Sequence, residues 1–131
     1  MALYPVKCAV SLPCKNLGID DNGKALSWGA GDDAGSLVES TANSRVAGKC
    51  EVVDKNLDQC TLEYAGVVRF RVDDTVTLAA ADLGKGILGA ADGNVTPTAY
   101  SSTYNEDLRG SIVAWSNTTG DKYVDVVFVG G

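Results

Sequence analysis

The chain contains no stretch with the apolar periodicity of an amphipathic helix. No window of about 11 residues keeps apolar side chains at positions i, i+3, i+4 and i+7. Instead, short alternating or β-branched runs recur between Gly, Asn and Asp residues that are typical of turns. This pattern predicts an all-β protein, a small antiparallel β-barrel or sandwich, in which closure of the sheet hides the strand edges.

The clearest strand candidates follow residue 44. Val68 and Phe70 alternate with Arg69 and Arg71, which predicts a strand with one buried face and one solvated face. Residues 79–83 are the only segment that looks helical, and it is about one turn long. The predicted strands are Arg45–Val53, Gln59–Tyr64, Gly66–Val72, Thr75–Leu78, Ser111–Trp115 and Lys122–Val129.

The region before these strands looks different. Residues 1–44 contain two prolines and a glycine-rich polar stretch, so we expect an extended N-terminal arm and a loop region packed on the domain. Residues 45–131 are expected to form the core of the same single domain. A long polar connection, Thr98–Asp107, carries Tyr100 and Tyr104; it suits a contact surface and equally an ordinary surface loop.

Four cysteines, Cys8, Cys14, Cys50 and Cys60, lack the close pairs of a structural zinc site. Alternation predicts that Cys50, on one face with Val52, and Cys60, on one face with Leu62 and Tyr64, both point into the core. The first residues do not resemble a secretory signal, so we expect synthesis in a cytosol. Buried, reduced thiols are therefore favoured, with a Cys50–Cys60 disulfide as the alternative.

The charge and composition argue against several functions. The chain has 17 acidic and 11 basic residues, a formal net charge of −6 and no histidine. Without histidine, the usual general base and the commonest metal ligand are missing. An acidic chain is also poorly suited to bind phosphate backbones. No apolar run approaches the roughly 20 residues of a membrane helix. We therefore expect neither an enzyme nor a protein that binds nucleic acid or membranes.

Two motifs resemble parts of known ligand-binding sites, but the residues around them do not fit such sites. Residues 84–89 match G-x-G-x-x-G, but a turn follows them instead of the helix that a dinucleotide site needs. Residues 20–23, Asp-Asp-Asn-Gly, begin like a calcium loop, but Lys24 and Gly31 stand where such a loop needs oxygen ligands. The sequence thus predicts no catalytic, cofactor-binding or metal-binding residues, and no cofactor.

A series of short motifs runs through roughly the last two-thirds of the chain. They are Ala65-Gly66-Val67-Val68, Val76-Thr77-Leu78, Ala80-Ala81-Asp82-Leu83-Gly84-Lys85, Asp92-Gly93-Asn94-Val95-Thr96, Arg109-Gly110-Ser111-Ile112-Val113 and Val124-Asp125-Val126-Val127-Phe128. In this order they resemble bacteriophage capsid decoration, or cement, proteins. The resemblance implies a homotrimer on the outer surface of the phage head, with the major capsid protein as its partner.

On this interpretation the protein is made in the host cytoplasm and stabilises the expanded capsid, because it adds binding free energy only to that state. An extended arm, residues 2–16, could add a strand to a neighbour and supply apolar anchors. The expected contact residues are Leu3, Tyr4, Val6, Val10, Leu12, Tyr100 and Tyr104.

A second function stays open: a carbohydrate-binding or cell-surface-binding β module of a phage or bacterial surface protein. In that case Trp28, Trp115, Tyr100 and Tyr104 would form an aromatic surface for stacking. Trp115 ends an apolar strand, so burial in the core is favoured for it. Trp28, between Ser27 and Gly29, is expected to be the more exposed of the two indole rings.

Overall fold

The computed structural model describes residues 8–101 and 108–128, and within them the fold is all-β, as predicted. The strands are β1 (Cys8–Pro13), β2 (Ala25–Trp28), β3 (Leu37–Glu39), β4 (Gly48–Asp54), β5 (Gln59–Arg71), β6 (Gly86–Gly89), β7 (Val95–Thr98), β8 (Ser111–Ser116) and β9 (Tyr123–Phe128). Short 3₁₀ turns lie at Ile19–Asp21, Gly31–Asp33, Ala80–Asp82 and Ala91–Gly93. The third of these falls within the predicted helical turn.

A curled antiparallel sheet forms a half-barrel. Its strand order is β3-β2-β4-β5-β9-β8, with β1 added on β5, and β6 and β7 form a separate hairpin. The sequence predicted two strands where β5 runs unbroken for 13 residues. Its first half pairs with β1 and β4, and its second half pairs with β9. Gly66 lies at the junction with φ +88°, a conformation that other residues rarely adopt.

The buried apolar residues form two clusters. The main core, inside the half-barrel, consists of Ala25, Val46, Val68, Phe70, Val72, Leu78, Ile87, Val95, Ile112, Val124, Val126 and Phe128. The second core consists of Cys14, Leu17, Leu26, Leu37, Ala47, Cys50, Cys60 and Leu62. The predicted alternation in β5 is confirmed, since Val68 and Phe70 are fully buried while Arg69 and Arg71 are exposed.

The sequence did not predict β1, β2 and β3, which lie in the region expected to be an arm and loops. In β2 the consecutive residues Ala25, Leu26 and Ser27 are all buried, so there is no alternation to detect. Burial of Ser27 is tolerated because its hydroxyl lies 2.7 Å from the Ser40 hydroxyl and donates to the Arg45 carbonyl oxygen at 2.7 Å.

The prediction of a strand at Thr75–Leu78 is wrong. In this segment, side chains form hydrogen bonds with the backbone N–H and C=O groups, and no neighbouring strand among the described residues does. Asp73 accepts hydrogen bonds from the Thr75 amide at 2.8 Å and hydroxyl at 2.7 Å. The Asn117 amide side chain accepts from the Leu78 N–H at 2.8 Å and donates to the Leu78 carbonyl oxygen at 2.6 Å. Irregular backbone is stable here because its polar groups are paired.

The inward orientation predicted for Val52 is also wrong. The pairing of β4 with β5 shifts register between Cys50 and Val52, so Glu51 is an extra residue in β4. Such a bulge reverses the alternation beyond it. Cys50 is therefore buried as predicted, whereas Val52 is 50% exposed.

Candidate functional site

An apolar groove opens at the rim of the second core. Its lining residues are Val10, Leu12, Trp28, Ala47, Leu62, Tyr64 and Arg109, and it has a volume of about 270 Å³. Ala47 and Leu62 belong to the second core, and Leu12 and Tyr64 pack against that core. The groove is thus the place where one of the two cores meets solvent.

Strand pairing places one wall of the groove. Val10 is the register partner of Leu62, and Leu12 is the partner of Cys60. Cross-strand partners point to the same face of a sheet, so Val10 and Leu12 lie over the face that buries Leu62 and Cys60. Val10 is 39% exposed and Leu62 only 3%, which gives the groove a buried floor and an open edge.

Trp28 and Tyr64 supply the aromatic surface of the groove. Trp28 is the last residue of β2 and is 53% exposed, although its register partner Leu37 is fully buried. Tyr64 continues the face of Leu62 along β5 and is half-buried. An indole with half its surface in water is a large apolar area that a bound partner can cover.

Of the described residues that line the groove, only Arg109 carries a charge. Its backbone forms a bridge with Ile87, and its guanidinium donates to the Val46 carbonyl oxygen at 3.4 Å. The same guanidinium lies 5.0 Å from the centre of the Phe128 ring, within cation–π range. Burial, and next the positive charge of Arg45, lowers the pKa of Arg109. Arginine nevertheless remains charged at neutral pH.

The groove gathers some of the predicted contact residues and leaves others out. Val10 and Leu12 line it, although they lie in an intramolecular strand. Tyr100 does not line it; its hydroxyl donates to the Gly110 carbonyl oxygen at 2.7 Å. The remaining predicted contacts lie outside the described residues: Leu3, Tyr4, Val6 and Tyr104.

The aromatic surface expected for a carbohydrate site is not assembled as predicted. Trp28 is exposed, as expected, but Trp115 packs against the main core, as also expected. Tyr64 stands beside Trp28 instead. The sequence assigned Tyr64 to the same face as Cys60 and Leu62, and that correct assignment contained the signal for the groove. For Ala47 and Arg109 the sequence offered no such signal.

The cysteines of the second core are reduced. Cys14, Cys50 and Cys60 are free thiols and buried, which confirms the predicted burial of Cys50 and Cys60. Burial raises the pKa of Cys50 to about 11 and that of Cys60 to about 12. Because the thiolate is the reactive form, these groups are poor nucleophiles at neutral pH.

Among the described residues, another apolar hollow, of about 320 Å³, is lined by small residues such as Ala42, Ala90 and Ala91 and has no aromatic or arginine side chain in its lining. A larger hollow of about 590 Å³ lies beside the β4–β5 hairpin and is lined mostly by polar side chains such as Asp54, Asn56 and Gln59. In the parts of the chain that the structure describes, no group of three His, Cys, Asp or Glu side chains is placed to hold a metal ion. Asp21, from the calcium-like motif, pairs with Lys24 at 2.8 Å. Within residues 84–89, Gly86–Gly89 is strand β6.

Neither a scan against protein-family models nor a search of the curated proteins returned a match. Among residues 8–101 and 108–128, no helix is long and apolar enough to cross a membrane. Conclusions about function therefore depend on the groove and on the sequence resemblance.

Proposed function

We propose that this protein is a structural component of a bacteriophage virion that binds the outer surface of the head and stabilises the expanded capsid. The observation that carries the proposal is the solvent-exposed apolar groove formed by β1, β2 and β5. The resemblance of residues 65–128 to decoration proteins supplies the identity of the partner, the major capsid protein.

The chemistry of the groove favours a protein partner. Val10, Leu12 and Trp28 present apolar surface to solvent, and Leu62 and Ala47 form a buried floor. Exposed apolar surface of this kind is covered in protein–protein contacts, whose affinity comes mainly from a few aromatic and arginine side chains. Trp28, Tyr64 and Arg109 are residues of those types.

Capsid stabilisation follows if the groove's partner surface exists only on the expanded shell. Each bound copy then lowers the free energy of the expanded state and leaves that of the compact shell unchanged. In a homotrimer, three grooves would act together, and multivalent attachment raises the apparent affinity without any new contact.

The proposal is tested by mixing the purified protein with decoration-free expanded heads and with unexpanded heads. We expect saturable binding to the expanded heads alone, measured by sedimentation and electron microscopy. Val10→Ser and Trp28→Ala should weaken that binding by about tenfold or more. Val113→Ser is the matched control, because Val113 is 51% exposed but does not line the groove.

The proposal fails if expanded heads bind no protein. It also fails if Val10→Ser and Val113→Ser bind equally well while both variants keep the wild-type circular dichroism spectrum. The second measurement ensures that lost binding reflects the groove and not a lost fold.

A carbohydrate-binding function is the alternative, and the exposed indole of Trp28 is the observation in its favour. The aliphatic part of the lining argues against it, because Val10, Leu12 and Leu62 offer no hydrogen bonds to sugar hydroxyl groups. A glycan titration monitored by tryptophan fluorescence distinguishes the two. A saturable shift in wild type that is absent in Trp28→Ala would favour the carbohydrate function.

A further inference from the structure

We infer that the groove binds an extended segment of the partner protein that presents apolar side chains and one carboxylate on the same strand face, and that this carboxylate pairs with Arg109. This inference rests on the proposed function, because it specifies the chemistry of the partner segment at the same groove. It depends on three observations: the few contacts of the Arg109 guanidinium, the position of β1, and the exposed apolar side chains of the groove lining.

Arg109 has unused capacity for hydrogen bonding. A guanidinium has five N–H donors in a planar fork. The described contacts of Arg109 are one long hydrogen bond to the Val46 carbonyl oxygen and the face of the Phe128 ring. Among residues 8–101 and 108–128, no carboxylate forms an ion pair with it. An incoming carboxylate is the ligand that this fork accepts with two parallel hydrogen bonds.

The contrast with Arg69 strengthens this point. Arg69 lies on the outer face of β5 and donates from Nε and Nη2 to the two carboxylate oxygens of Asp125, at 2.8 and 3.1 Å. It also stacks on the Tyr123 ring, 3.7 Å from the ring centre. Arg69 therefore has its carboxylate within the chain, whereas Arg109, in a groove, is placed to find one on a partner.

The position of β1 favours an extended partner. In the described chain, β5 is the only strand that forms a ladder with β1, and Leu37 pairs beside it only at Cys14 and Lys15, just beyond its end. The opposite edge of residues 8–12 can therefore accept another strand. Residues 8–13 carry no charge that would discourage such pairing. A strand added beside Val10 and Leu12 presents alternate side chains to the groove, because the side-chain period of a strand is two.

Apolar side chains of the added strand would cover Val10 and Trp28, and one acidic side chain would reach Arg109. Since the chain carries a net charge of −6, a partner with many acidic residues gains nothing from long-range attraction. Selectivity for the carboxylate must therefore arise locally, at Arg109.

The test uses short defined peptides. One is acetyl-Ser-Val-Ser-Glu-Ser-Val-Ser-amide, whose two Val side chains and one Glu side chain share a strand face, and two matched peptides carry Gln or Lys in place of the Glu. The protein carries Trp115→Phe, which leaves Trp28 as the sole tryptophan, because the chain has only two. Binding is measured from Trp28 fluorescence and, in the wild-type protein, from amide NMR shifts of β1.

We expect the Glu peptide to bind about fivefold to tenfold more tightly than the Gln peptide, and the Lys peptide to bind most weakly. Arg109→Gln should abolish the preference for Glu over Gln. An unchanged circular dichroism spectrum and unchanged amide NMR shifts of β1 in the free variant show that the groove is still folded. Arg109→Lys should keep part of the preference, and Arg69→Gln, the matched control, should keep all of it.

Equal affinities for the Glu and Gln peptides in wild type would overturn the inference. So would a preference that survives Arg109→Gln, or no binding of any peptide at about millimolar concentrations. The proposed function fails separately. If Trp28→Ala abolishes head binding and Arg109→Gln does not, the function stands and the carboxylate inference falls. If the peptide preference is found but no groove variant affects head binding, the carboxylate inference stands and the proposed function falls.

Discussion

The main core and the second core are built from one sheet, yet they differ in composition and in closure. The main core is aliphatic and aromatic, and its largest residue, Phe70, is fully buried with its ring 5.4 Å from that of Phe128. The second core contains three thiols, and at its rim Trp28 and Val10 are exposed. One core is closed by its own strands, while the other meets solvent at the groove.

The same strand serves both cores. β8 and β9 are consecutive strands joined by a short turn, and β9 pairs with the second half of β5. In the second core, β1 and β4 pair with the first half of β5, and Cys14 is bridged to Leu37. Both cores thus join segments that are remote in the chain, and the groove lies at the rim of the second one.

The largest expected effect is at the centre of the main core. Phe70→Ala should lower the free energy of unfolding by about 3–5 kcal/mol, because it removes a fully buried ring and leaves a cavity. Urea denaturation measures the loss, and Phe70→Leu should lose distinctly less. A loss below about 1 kcal/mol would mean that the main core is not the dominant source of stability.

In the second core, Leu26→Ala should cost about 2–4 kcal/mol, since Leu26 is also fully buried. Hydrogen exchange measures separately how readily the two cores open. We expect amides of β1 and β2 to lose protection first, while amides pairing β5 with β9 remain protected. Uniform loss of protection across both regions would show that the cores unfold as one unit.

The thiols give the second core its own dependence on pH. The folded-state pKa of Cys50 is about 11, raised from the ordinary value of 9.0 by burial. Above about pH 9 the unfolded chain loses this proton while the folded protein keeps it, so stability falls as pH rises. The contribution of the protonated Cys50 to the free energy of unfolding is fully present below pH 9 and is lost as pH approaches 11.

Between pH 9 and pH 10, Cys50 alone should contribute a loss of about 1 kcal/mol. Urea denaturation of Cys50→Ala should therefore show a shallower decline over this range than wild type. Val124→Ala in the main core is the control, since it should lower stability equally at both pH values. An unchanged slope in Cys50→Ala would contradict the assignment.

The smallest expected effect is on the solvated face of the main sheet. Arg69→Gln should cost about 0.2–1 kcal/mol, because the Arg69–Asp125 pair is exposed and water screens its attraction. Added salt should shrink the difference from wild type in thermal unfolding. A loss of several kcal/mol would mean that this face contributes to stability as strongly as the core.

The sequence predicted those strands whose own residues alternate between apolar and polar side chains. The alternation of Val68 and Phe70 with arginines assigned both faces of β5 correctly. In contrast, β2 has three consecutive buried residues, and the side chain of Asn117 replaces a strand partner for Leu78. Both depend on neighbours that are remote in the chain, so no local pattern reveals them.

The groove was predictable only in part for the same reason. The apolar character of Val10 and Leu12 and the freedom of Trp28 were evident from the sequence. Their meeting with Tyr64 and Arg109 requires the pairing of β1 with β5 and the bridge between Arg109 and Ile87. Such contacts are products of the assembled sheet.

The continuous β5 strand has a mechanical consequence. A pull on β1 by a bound partner passes into β5 and reaches β9 through covalent bonds of a single strand, without crossing a side-chain interface. The ladder hydrogen bonds lie perpendicular to the strands, so tension along β5 stretches many of them together. Gly66, with φ +88°, lies between the two halves and fixes the direction of one relative to the other. One continuous backbone therefore transmits force from one core to the other.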